Sequence, residues 1–88
     1  MRIRVTNRYE RSVSRIPDRI KTRATQALIR FADNPNYPGL NFERLSGWED
    51  TYSIPVNRQY RILLVRQTDE AGEIFAAVDI GTHEIYRR

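Results

Sequence analysis

The chain has 88 residues, no cysteine, and a formal charge of +4 from 15 basic and 11 acidic side chains. That length gives one modest core and excludes a second catalytic or lid domain. The missing cysteines exclude a disulfide framework and a thiolate metal site, as suits a reducing cytoplasm. No apolar run approaches membrane-spanning length, and the basic N-terminus leads into strand and helix rather than a signal-peptide core. The expectation is one soluble cytoplasmic domain over residues 1–88 with no membrane contact.

Ile3 and Val5 alternate with Arg2 and Arg4, which predicts a short first strand with one apolar face. Asn7 followed by Glu10 resembles a capping box. Tyr9, Val13 and Ile16 at helical spacing then place a first helix at about 7–15. Pro17 ends it and suits the first residue of a second helix, along which Ile20, Ala24, Ala27, Leu28 and Phe31 form one apolar stripe. Asn34-Pro35 closes that helix, and the paired stripes need a sheet to cover.

Asn36-Tyr37-Pro38-Gly39 is a turn. Leu40 and Phe42 start a second strand that runs to about Leu45, and Ser46-Gly47 breaks it. Tyr52, Ile54 and Val56 alternate in a third strand at 51–56, where Pro55 removes a ladder donor and so predicts an edge or a bulge. Strands at 60–66 and 74–80 follow, with Ala71-Gly72 between them. The order β-α-α-β-β-β-β, helices first and then a mainly antiparallel meander, predicts an α+β fold.

The charge is unevenly spread. Residues 1–30 hold nine basic side chains against Glu10 and Asp18, whereas residues 67–84 hold five acids and no base. The N-terminal half therefore faces a polyanion or an acidic partner, and its arginine-dense helices are expected to lie away from the C-terminal end. All but one of the basic residues are arginine, which suits bidentate or partly buried phosphate contacts.

That C-terminal end carries the candidate chemistry. His83, the only histidine, stands three residues before Tyr86 and four before Arg87-Arg88, just past a strand expected to be central. Imidazole moves protons near neutral pH, a phenol does so when its pKa is lowered, and guanidinium holds phosphate. A solvated tail is the plainer use of such a sequence. Arg61 falls within the run Tyr60-Arg61-Ile62-Leu63-Leu64-Val65, which reads as a buried central strand. A charge at its mouth needs an anionic partner: Asp79, a glutamate or a bound phosphate. Trp48, beside Gly47, is open to base stacking or partner contact, whereas Tyr52 alternates with Ile54 and Val56 and reads as core. One histidine and scattered carboxylates make no metal-ligand cluster, and no cofactor is implied.

Taken together, the opening strand with Thr-Asn-Arg-Tyr, the connection Asn34-Pro35 to Pro38-Gly39-Leu40, Leu45-Ser46-Gly47, the stretch from Tyr52 to Leu63 and the closing Gly81-Thr82-His83-Glu84-Ile85-Tyr86-Arg87 resemble the RelE/ParE toxin superfamily of toxin-antitoxin systems. The resemblance implies two N-terminal helices packed on a curved, mainly antiparallel sheet. It also implies a cytoplasmic toxin that forms a hetero-oligomer with a cognate antitoxin. For RelE-type members it implies a metal-independent endoribonuclease, an mRNA interferase acting on message at the ribosome. The 2′-OH attacks the adjacent phosphate and leaves a 2′,3′-cyclic phosphate, which requires a proton acceptor, a proton donor and cations. Carried over residue by residue, the resemblance gives Arg61, His83 and Tyr86 catalytic roles. His83 moves protons, Tyr86 orients or relays the proton or acts as base, and Arg61 with Arg58 or Arg87 binds the phosphate. Ser53 and Pro55 stand where some relatives carry lysines, and His83-Glu84 replaces the commoner His-Asp. Two other readings belong beside this one: a ParE-like DNA gyrase poison that cuts no RNA, and a plain RNA-binding or interaction module.

Overall fold

The structure is a computed structural model that describes residues 1–87, the Arg87 side chain excepted. β1 (Ile3–Val5) is followed by α1 (Asn7–Val13) and α2 (Asp18–Asp33). Then come β2 (Glu43–Arg44), β3 (Thr51–Pro55), β4 (Arg61–Asp69), β5 (Gly72–Gly81) and a 3-10 turn at His83–Arg87. The strands form one sheet in the order β1-β5-β4-β3-β2. Every neighbouring pair is antiparallel except β1 with β5, which run parallel with Ile3 opposite Phe75 and Val5 opposite Ala77. The fold is thus the expected α+β arrangement of two helices and a mainly antiparallel sheet.

The first helix is capped by Thr6, not by Asn7. The Thr6 hydroxyl accepts the Tyr9 N–H at 3.1 Å and donates to the Ala77 carbonyl at 2.8 Å. Asn7 cannot serve in its place, because only the residue directly after β1 both satisfies a helix donor and ties the chain to β5. The helix ends at Val13, short of the expected residue 15. The Ser14 hydroxyl donates to the Arg11 carbonyl at 2.7 Å, and Arg15 N–H reaches the Ser12 carbonyl at 3.2 Å, so the chain tightens into a turn. Pro17 sits just outside α2 with ψ 145°, its carbonyl accepting the Ile20 and Lys21 N–H groups.

The stripe along α2 meets the sheet as its spacing predicts. Ile20, Ala24, Ala27 and Phe31 are buried, together with Leu40, Ile54, Val56, Ile62, Leu64, Phe75, Ala77 and Ile80. Phe31 is fully buried and lies 4.6 Å from Phe42 and 5.2 Å edge-on from Phe75, while Tyr52 stacks on Phe42 at 4.9 Å. Tyr52 is therefore core, as its alternation indicated.

β2 is shorter than the expected 40–45. Asn41 adopts φ 55°, which interrupts an extended run between Leu40 and Phe42, and only Glu43 and Arg44 pair with β3. Pro55 lies beyond that pairing, so its missing N–H faces an open edge. The β4–β5 hairpin is longer than expected, running to Asp69 and resuming at Gly72, whose φ of 113° favours glycine. Leu63 pairs with Asp79 and Leu64 with Ala77, leaving a bulge at Val78 that bends β5.

Tyr9 is 5% exposed, and burial pushes its phenol from 10.0 up to about 12. The neutral form is thus favoured in the folded state. Its stabilisation is complete below pH 10 and is lost as pH rises through about 12. A urea titration series at alkaline pH should show parent stability falling above pH 10, with a shallower fall for Tyr9→Phe.

Candidate functional site

The end of β5 sets the site. Gly81 lies opposite Arg61 across the β4–β5 pair, so the start of one central strand and the exit of another share one end of the sheet. Thr82 then opens the 3-10 turn, its carbonyl accepting the Ile85 N–H at 3.0 Å. Ile85 is fully buried, and this apolar anchor fixes the turn on β5. Its neighbours are thereby presented outward, with His83 exposed and Tyr86 half-buried.

Three rings follow one another from this turn. The His83 and Tyr86 ring centroids are 6.0 Å apart, and the Trp48 and Tyr86 centroids 6.2 Å apart in an edge-on arrangement. Trp48 stands in the β2–β3 loop, held by its N–H to the Leu45 carbonyl at 3.3 Å and by Gly47 at φ 81°, and 40% of its surface is exposed. His83, Tyr86 and Trp48 thus form one aromatic row with open faces. The meeting of Trp48 with Tyr86 had no signal in the sequence.

Arg61 is less buried than its strand. Ile62, Leu63 and Leu64 are buried as expected, but Arg61, at the first position of β4, keeps 28% of its side chain exposed. Its carboxylate neighbour is Glu43 at 4.0 Å, a loose pair with a largely exposed partner. Of the three expected partners, Asp79 is otherwise engaged. Its carboxylate accepts Arg8 at 3.0 Å and the Ser12 hydroxyl at 2.6 Å. The same contacts correct the expectation that the arginine-dense helices lie away from the C-terminal end, for α1 packs directly on β5.

Arg58 is exposed in the β3–β4 turn, where Asn57 Oδ1 accepts the N–H groups of Gln59 and Tyr60 at 2.8 and 2.7 Å. That turn carries it to the same end of the sheet as Arg61. The expectation for Arg87 falls on a side chain outside the described residues. Arg66, past the middle of β4, is tied to Asp50 at 2.8 Å and lies near Glu73. Among the described residues no group of three or more His, Asp or Glu side chains is disposed to hold a metal ion, and no helix is long and apolar enough to cross a membrane.

Two helices on a five-stranded mixed sheet, closed by a C-terminal aromatic turn, define a RelE-like toxin fold. Similar solved structures include a YoeB/ParE toxin from Agrobacterium tumefaciens, at 13% identity over 94% of this chain and 99% of that chain with a TM-score of 0.73. A RelB-RelE antitoxin-toxin complex from Methanococcus jannaschii matches at 15% identity over 96% and 95% with a TM-score of 0.68. YafQ from E. coli matches at 16% identity over 98% of each chain with a TM-score of 0.66. No curated protein matches the chain at a significant level. Residues 18–88 match the ParE-like toxin domain family, and the chain belongs to that family, a toxin of the RelE/ParE superfamily.

The one tryptophan reports on the aromatic row. Removing the Tyr86 ring in Tyr86→Ala should move Trp48 emission to the red and raise its quenching by acrylamide. An unchanged spectrum would place the two rings apart in solution.

Proposed function

We propose that this toxin is a metal-independent endoribonuclease that cuts messenger RNA at the ribosome. The observation that carries the proposal is the contiguity of His83, Tyr86 and Trp48, with the turn that bears the first two leaving β5 at Gly81, opposite Arg61. The 2′-oxygen bonds to phosphorus, its proton passes to one member of the His83/Tyr86 pair, the P–O5′ bond breaks, and the leaving 5′-oxygen takes a proton from the other. Arg61, bound only loosely by Glu43, and the exposed Arg58 are free to offset charge on the phosphorane. Trp48 offers its open face to an unstacked base. The products are a 2′,3′-cyclic phosphate and a 5′-hydroxyl.

The expected result is a loss of cleavage in Tyr86→Phe and in His83→Ala, with the double variant little worse than either single one, because groups acting as a unit fail together. Arg61→Ala should lose about 3 kcal/mol of transition-state stabilisation while keeping the parent melting temperature. The readout is cleavage of labelled message on translating ribosomes, with cyclic-phosphate ends scored. Single variants that cut like the parent would remove the proton-transfer pair from the chemistry.

The matching family, ParE-like, favours a second reading in which the protein binds and poisons DNA gyrase without cutting RNA. A supercoiling assay on the same preparations separates the two. Gyrase inhibition that survives His83→Ala and Tyr86→Phe, in a protein that leaves message intact, would establish the second.

The antitoxin partner is proposed to lie across an apolar groove of about 450 Å³ between β1, α1 and α2, lined by Ile3, Val5, Val13, Leu28, Ile29 and Ala32. Ile29 is 64% exposed and Val5 43%, at the open edge of the sheet. RelB-RelE assemblies among the similar structures support such a partner. Ile29→Glu should weaken capture of the antitoxin at least tenfold while leaving the melting temperature within a degree or two; full-strength capture would place the antitoxin elsewhere.

A further inference from the structure

We propose that Arg8, Arg11 and Arg15 form a second anion site, a track for the phosphates of single-stranded RNA that runs from α1 toward the end of β5. Arg8 and Arg11 lie on α1 and Arg15 in the turn that closes it, and together with Ser12 and Asp79 they line a recess of about 340 Å³. This is the side of α1 away from the apolar groove, to which α1 contributes Tyr9, Glu10 and Val13. Arg8, Arg11 and Arg15 lie outside the residues 18–88 that match the toxin family, whereas Asp79 lies within them.

The recess is built around a fully buried carboxylate. Asp79 accepts Arg8 at 3.0 Å and the Ser12 hydroxyl at 2.6 Å, which fixes α1 against β5 and sets Arg8 in one orientation. Arg8 still exposes 49% of its side chain, so donors not spent on Asp79 face the recess. Arg11 and Arg15 are exposed and, among the described residues, have no carboxylate within ion-pair distance. The arginines in and just before β1 differ. Arg2 is bound to Asp69 at 2.6 Å and Arg4 to Gln67 at 2.8 Å. Beside Asp79, by contrast, three guanidinium groups line one recess with donors to spare, and Asp79 stands four residues before His83 in the chain.

Guanidinium groups spaced along a helix and the turn that closes it match a repeating phosphate backbone better than a single acidic side chain. A strand crossing the aromatic row would place neighbouring phosphates in this recess. The choice of RNA rests on the ribonuclease reading above; the presence of an anion site does not.

The probe is a fully 2′-O-methyl RNA of about 12 nucleotides, which binds but has no 2′-OH to react, titrated against the full chain over a range of salt concentrations. Arg11→Gln/Arg15→Gln should weaken binding about tenfold or more, and the slope of log K against log salt should fall by about 1.4, that is ~0.7 for each phosphate no longer neutralised. Both side chains are exposed, so the melting temperature should stay at the parent value. In cleavage of a ribose RNA the same variant should raise KM and leave kcat unchanged. Parent-like affinity and salt slope in the double variant would overturn the track. So would a variant that keeps RNA binding but loses binding to a polyglutamate peptide, since the recess would then serve an acidic protein. If the parent cuts no RNA yet the arginine pair still governs binding of the probe, the ribonuclease reading fails while the track stands.

Discussion

The fold depends on the seating of Phe31. Its ring is fully buried against Phe42 and Phe75, with Tyr52 stacked on the far side of Phe42, so one residue of α2 joins the helix to the β2 approach, to β3 and to β5. Aromatic groups of this size supply a large share of a small core and fix its geometry through ring orientation. An 88-residue chain has few such contacts to spare. With α2 docked, the sheet keeps its other face and its ends for function.

What was legible in the sequence follows from local periodicity. The stripe from Ile20 to Phe31 and the alternation of Tyr52, Ile54 and Val56 identify their buried faces because side-chain period and burial coincide there. Pro55 located an open edge correctly, since a missing donor has a direct structural cost. Asn7 misled because its side chain has the chemistry of a cap, whereas Thr6 also bonds to Ala77, a residue far away in the chain. The left-handed conformation of Asn41, which shortens β2, leaves no periodic trace either.

The candidate site was legible by type but not by arrangement. His83, Tyr86 and Arg61 announce their chemistry as residues, and the pairing of Arg61 with Gly81 brings Arg61 to the strand exit from which the His83–Tyr86 turn leaves. The edge-on meeting of Trp48 with Tyr86 depends on the buried anchor Ile85, which reads as an ordinary apolar residue near a chain end. Asp79 was considered as a partner for Arg61 but holds Arg8 and Ser12 instead, because the Val78 bulge and the adjacent α1 decide which cation reaches it. Pairing across layers of structure is set by topology, and topology has no local signature.

The parallel pairing of β1 with β5 has a consequence during synthesis. Ile3 meets Phe75 and Val5 meets Ala77, so the earliest strand cannot find its place until the latest strand has left the ribosome. Thr6 waits for Ala77 as well, which leaves α1 without its tie to the sheet until then. Contacts this distant in sequence form late. A nascent chain therefore carries β1 and α1 without their seats on the sheet until β5 is present, and the strand made first is among the last to be paired.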